Sequence, residues 1–62
     1  MKIYAVHQYY YDNGRTSANY TVHEMDEKPE SIEKSTPKYD YYCDYVTSKR
    51  EAEKLVTQCR NA

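Results

Sequence analysis

The chain has 62 residues, 9 basic and 10 acidic side chains, a net charge of −1 and 15% aromatic residues. A chain of this length forms a single small domain spanning 1–62, and such a domain buries only about 60% of the surface its unfolded form exposes. The charge balance supplies no global field for DNA, RNA or an anionic membrane, and the aromatic share argues against full disorder. The aliphatic supply is thin: Ile3, Val6, Val22, Ile32, Val46, Leu55 and Val56. Burying one such side chain is worth roughly 1.5–3 kcal/mol, while ordering each residue costs roughly 1–2 kcal/mol. Tyrosine must therefore complete the core, or a partner must cover one face, and a homodimer is the simplest partner. Nine tyrosines stand in the chain, with no phenylalanine and no tryptophan.

Residues 2–11, KIYAVHQYYY, are rich in β-branched and aromatic types and read as a strand. Asn13-Gly14 follows, a strong hairpin signal because both central residues of a type I′ turn need positive φ. Residues 15–25, RTSANYTVHEM, alternate again and read as the returning strand. A two-residue loop pairs Asp12 with Arg15, Tyr9 with Ala18, His7 with Tyr20 and Ala5 with Val22. Side chains alternate across a strand. One face then carries Ile3, Ala5, His7, Tyr9, Ala18, Tyr20 and Val22, the expected core. The other carries Tyr4, Val6, Gln8, Tyr10, Asn19, Thr21 and His23, which puts the two histidines on opposite faces.

Residues 26–38, DEKPESIEKSTPK, combine two prolines with dense charge and read as a mobile loop. Ile32 is its one apolar anchor, and a single helical turn from Pro29 is one form it could take. KYDYYCDYV, residues 38–46, is the third expected strand. Tyr39, Tyr41, Cys43 and Tyr45 share one face; Asp40, Tyr42, Asp44 and Val46 share the other. The aspartates are expected to face water, which sends the first set to the core. The segment SKREAEKLVTQCRNA reads as a helix. Ser48 is its N-cap, with Glu51 completing a capping box. Ala52, Leu55, Val56 and Cys59 form one apolar stripe.

The expected fold is α+β: a three-stranded antiparallel sheet (β-hairpin, long loop, third strand) with one C-terminal helix packed on one face. The opposite face is left open, with Tyr4, Tyr10, Tyr42 and Val6 on it. Tyr9, Tyr20, Tyr41 and Tyr45 go to the half-wet core, where the amphipathic ring suits them. Tyrosine on an open face tolerates water while free and is enriched at contact surfaces. The expected function is accordingly non-catalytic binding of a protein partner through the tyrosine-rich open face, as a homodimer. Tyr4, Tyr10, Tyr42 and Asp40 are the expected contacts, with Tyr11, Arg15 and Asp44 at the rim. A small chain with such a surface also suits a phage or mobile-element accessory protein that inhibits a host protein.

Catalysis is not expected. Asp40 and Asp44 stand about 13 Å apart along one strand, too far for a shared acid–base centre; a charged rim selecting a basic partner is their functional reading. No nucleophile motif, P-loop or glycine-rich cradle appears, and the single glycine is spent on the turn. No cofactor is expected. His7, His23, Cys43 and Cys59 lack the short pair spacing of zinc modules, so no metal is expected either. The start, MKIYAVHQ, lacks the apolar run of a signal peptide. A cytoplasmic location follows as the expectation, with Cys43 and Cys59 as thiols, although helix and third strand would place them on a shared core side.

The junction YVTSKREAEKLV, together with a tyrosine-rich hairpin turning on DNGR, loosely resembles the arm-type DNA-binding domains at the N-termini of tyrosine integrases. The resemblance covers roughly half of the chain. It implies three strands, a packed C-terminal helix and a sheet that reads DNA, and it supplies the alternative function, a small DNA-binding domain. The departure is in charge. Such a sheet displays lysine and arginine to phosphates, whereas the matching face here would carry Asp40 and Asp44, with only Arg15 near the tip.

Overall fold

Tyr11 and Arg15 close the first hairpin, and the loop between them sets the geometry of everything after it. The loop holds Asp12, Asn13 and Gly14. The Tyr11 N–H donates to the Arg15 carbonyl at 2.9 Å, and the Gly14 N–H donates to the Tyr11 carbonyl at 3.0 Å. Among the described residues Gly14 alone takes positive φ, at 84°. The Asn13 side chain accepts from the Arg15 N–H at 3.0 Å. Asn13 therefore does not adopt the type I′ conformation. The pattern is a three-residue loop in which glycine supplies the left-handed position.

The computed structural model describes residues 1–61. In chain order the elements are β1 (Lys2–Tyr11), β2 (Thr16–Glu24), β3 (Ile32–Ser35), β4 (Tyr39–Val46) and α1 (Lys49–Arg60). The strands make one four-stranded antiparallel sheet in the order β2-β1-β4-β3. The α+β class holds, but the expected three-stranded sheet is corrected to four. The added strand lies inside the 26–38 segment that reads as a loop. Ser35 Oγ donates to Asp40 at 2.8 Å and Ser31 Oγ to Asp44 at 2.9 Å, tying this short strand to β4. Thr36 closes the β3–β4 turn: its N–H and its hydroxyl both donate to the Tyr39 carbonyl at 2.9 Å.

The loop length shifts the hairpin register by one residue. Gln8, not Tyr9, stands opposite Ala18, and Val6 stands opposite Tyr20. A one-residue slip sends every side chain of a strand to the other face, so the expected faces of β1 are reversed, while Ala18, Tyr20 and Val22 of β2 stay on the helix side as expected. Val6, Ala18, Ala52, Val56 and Cys59 form the core under the helix, with Tyr4, Tyr10, Tyr20, Val46 and Leu55 packed against it. Tyr4, Val6, Tyr10 and Tyr42 are thus on the helix side of the sheet, not on its open side. Tyr9, Tyr41 and Tyr45, expected in the helix-covered core, are on the opposite face. The helix itself is as the sequence indicates. Ser48 accepts from the Glu51 N–H at 3.3 Å, and Ala52, Val56 and Cys59 are its buried residues.

The faces are unevenly covered. On its side α1 lies over β2 and β1 and barely reaches β4, which is how Asp40 and Asp44 share that side with the helix while keeping access to water. On the other side Ile3, Ala5 and Cys43 are fully buried. They sit toward the end of the sheet where residues 25–31 must cross from the β2 edge to the β3 edge, and Met25 and Pro29 in that crossing are themselves half-buried. Cys43 and Cys59 are free thiols on opposite faces of the sheet, which corrects the shared side expected for them. Among the described residues no helix is long and apolar enough to cross a membrane.

Candidate functional site

With the register settled, the nine tyrosines divide by face. Tyr4, Tyr10, Tyr20 and Tyr42 lie on the helix side, and Tyr9, Tyr11, Tyr39, Tyr41 and Tyr45 on the side away from the helix. At the hairpin-tip end of that second face four rings form a continuous cluster. Tyr9 is its hub: ring centroids lie 5.0 Å away at Tyr41, 5.6 Å at Tyr39 and 6.3 Å at Tyr11. Tyr11 and Tyr39 close the group at 5.6 Å. The cross-strand pairs Tyr9–Tyr41 and Tyr11–Tyr39 place the rings side by side, and each such aromatic pair is worth about 0.5–1.5 kcal/mol beyond its buried area. Tyr11 is exposed, and Tyr9, Tyr39 and Tyr41 are half-buried. A shallow cavity of about 200 Å³ opens among Tyr9, Tyr39, Tyr41, Thr36 and Lys34.

A polar track continues the cluster across β1 and β2. His7 Nδ1 lies 2.7 Å from the Tyr41 hydroxyl, and His7 Nε2 lies 3.2 Å from Thr21 Oγ1. Thr21 Oγ1 in turn lies 2.7 Å from His23 Nε2. The two histidines, expected on opposite faces, therefore share one face and one hydrogen-bonded chain. Burial first, and then the neighbouring Cys43 thiol, push the Tyr41 phenol well above its ordinary value. The same thiol, through a hydrogen bond first and burial second, raises Tyr45. No strand position on this face holds a carboxylate: Glu24, Glu33, Asp40 and Asp44 all fall on the helix side by register. Lys34 lines the cavity among the rings, and Asp12, Arg15 and Lys38 are the charged residues at the hairpin-tip end of the cluster.

The residues expected to make contact are divided three ways. Tyr10, Asp40, Tyr42 and Asp44 come together with Gln8 in an open groove of about 530 Å³ on the helix side. There Gln8, almost fully buried, donates to Asp44 at 2.8 Å, and Tyr10 and Tyr42 meet edge to face at 5.6 Å. A hydrogen bond to Cys59 is the main cause that raises the Tyr10 phenol. Tyr4 is elsewhere, against Tyr20 at 5.9 Å. Tyr11 and Arg15 are at the hairpin tip. Tyr9, Tyr39, Tyr41, His7 and Lys34 are the surface residues that the sequence reading passes over. The one signal for them is the turn, since a three-residue reading of Asp12-Asn13-Gly14 puts them on the uncovered side. Among the described residues no group of three or more His, Cys, Asp or Glu side chains is placed to hold a metal ion. No protein-family model, curated protein or solved structure matches the chain.

Proposed function

We propose that the protein is a non-catalytic binding module that meets a protein partner through the sheet face away from the helix. The observation that carries this reading is the cluster of Tyr9, Tyr11, Tyr39 and Tyr41, four rings already packed against one another yet still reachable by solvent. Rings ordered before contact lose little entropy on binding, and tyrosine is among the residues that dominate contact energies. The phenolic hydroxyls let such a surface stay in water until a partner arrives. The residues expected from the sequence enter this reading only through Tyr11 and Arg15; Tyr10, Asp40, Tyr42 and Asp44 form a second, acidic surface on the other side.

A second reading, binding of single-stranded nucleic acid by the same face, is favoured by one observation: the strands offer no carboxylate there, and Lys34 lies among the rings. Bases stack on aromatic platforms, but that mode also draws on a basic groove. The test is affinity capture from source lysate with and without nuclease, using wild type and a Tyr9→Ser/Tyr39→Ser variant. A protein captured by wild type alone, at unchanged yield after nuclease, supports the first reading. Capture lost on nuclease treatment, or on a modest rise in salt, supports the second.

A further inference from the structure

We infer that β2 is a pairing edge for a second copy of this chain, making a continuous eight-stranded sheet across a two-fold axis. The inference does not depend on which partner the open face takes.

The free edge of β2 can be read from its hydrogen bonds. Tyr11 and Arg15 are bonded across the hairpin, and so are Met1 and Met25. In an antiparallel pair the bonded residues alternate with residues whose N–H and C=O point the other way. Ser17, Asn19, Thr21 and His23 therefore turn their backbone groups to β1, while Ala18, Tyr20 and Val22 turn theirs outward. Ala18 carries the independent sign of this: its carbonyl accepts from the Arg60 guanidinium at 3.0 Å. Among the described residues no partner is recorded for the outward backbone groups of Tyr20 and Val22.

The two edges of the sheet differ in a telling way. Protected edges are short or carry lysine, proline or a bulge. β3 fits that description, with four residues including Glu33 and Lys34. β2 runs for nine residues, TSANYTVHE, with no lysine, proline or glycine. Val22 on this edge is 50% exposed, beside half-buried Tyr20.

A second copy fits this edge by its own chemistry. Residues directly opposite in an antiparallel pair share a face, and a two-fold axis perpendicular to the sheet satisfies that condition. An axis through Thr21 sets Tyr20 against Val22 of the second copy, twice, with the outward groups of both exchanging hydrogen bonds. The same register sets Ala18 against Glu24 of the second copy. That carboxylate then lies on the helix side, where Arg60 already caps Ala18. Centring on Tyr20 brings Val22 opposite Ala18, and centring on Val22 brings Asp26, which lies beyond the end of β2. The axis keeps both helices on one side and both tyrosine clusters on the other, so the pair presents one doubled contact face to a bivalent partner.

Sedimentation equilibrium over a concentration series, with amide hydrogen exchange at each end, tests this. Expected are a dimer at high concentration, protected Tyr20 and Val22 amides in that dimer, and loss of their protection on dilution. Val22→Pro deletes an N–H unused within the chain, as edge strands allow, and is expected to be a folded monomer. A wild type that stays monomeric at the highest concentration overturns the inference. So does a dimer in which Tyr20 and Val22 amides exchange freely, or one that persists in folded Val22→Pro. Should Val22→Pro fail to fold, the exchange pattern of wild type decides alone.

Discussion

The Tyr41 hydroxyl lies 2.7 Å from His7 Nδ1, and the two rings stack with centroids 6.0 Å apart. This contact joins β4 to β1 on the face away from the helix, between the aromatic cluster and the Thr21–His23 track. It fixes the outer rings through a residue that is itself partly buried, so its loss is felt in stability before it is felt in surface shape.

Tyr41→Phe keeps the ring and deletes the hydroxyl. A loss of about 1 kcal/mol is expected in a urea melt, the usual net worth of such a hydrogen bond, with the cluster around Tyr9 left in place. A loss near zero would mean that the His7 contact adds nothing to the fold.

Alkaline pH should unfold the protein more readily than neutral pH. The folded state holds the Tyr41 proton to higher pH than the unfolded chain does, through burial and then the Cys43 thiol, and Tyr10 and Tyr45 shift the same way. Their stability contribution is therefore intact below the unfolded phenol value of about 10 and declines as pH rises from there toward the folded values. Urea midpoints should be insensitive to these groups near neutrality and fall above about pH 10, less steeply in Tyr41→Phe. Phenolate absorbance should show part of the tyrosine complement titrating late in the folded state.

Gly14→Ala separates turn strain from crowding. A Cβ at Gly14 meets nothing within 4 Å, so the cost is the left-handed φ alone, about 1–2 kcal/mol. Gly14→Asn should cost less, because asparagine tolerates that region. Equal losses from both would mean that the glycine acts through something other than its backbone angle.

Asp44 and Asp40 are expected to behave unequally. Asp44 satisfies the Gln8 amide and Ser31, and Gln8 is nearly buried, so Asp44→Ala leaves a buried donor unmet and should cost about 1–3 kcal/mol. Asp40 bonds only exposed Ser35, and Asp40→Ala should fall within about 0.5 kcal/mol of wild type. Thermal melts of the two variants decide it, and an equal effect would remove the structural role given to Asp44.

The helix was legible because its information is local: Ser48, Glu51 and the stripe at Ala52, Val56 and Cys59 lie within one short segment. The existence of the hairpin was legible for the same reason. Its register was not, because Asn13-Gly14 serves either a two-residue loop or the end of a three-residue one. The choice between them moves Ala18 from Tyr9 to Gln8, and with it the face of every side chain on β1, while β2 keeps the faces expected for it. β3 was hidden for a different reason. Ile32-Glu33-Lys34-Ser35 has no apolar alternation, and what holds it, the backbone pairing with β4 together with the Ser31–Asp44 and Ser35–Asp40 bonds, depends on a later strand. The aspartates that looked like solvent-facing charge are the acceptors for that strand.

Residue-resolved nitration of the tagged protein, read by mass spectrometry in source lysate and in isolation, tests the contact face most directly. The account predicts that Tyr9, Tyr11 and Tyr39 lose reactivity in lysate while Tyr20 and Tyr42 keep theirs. Protection of Tyr10 and Tyr42, with Tyr9, Tyr11 and Tyr39 still reactive, would place the partner on the acidic groove beside the helix and contradict it.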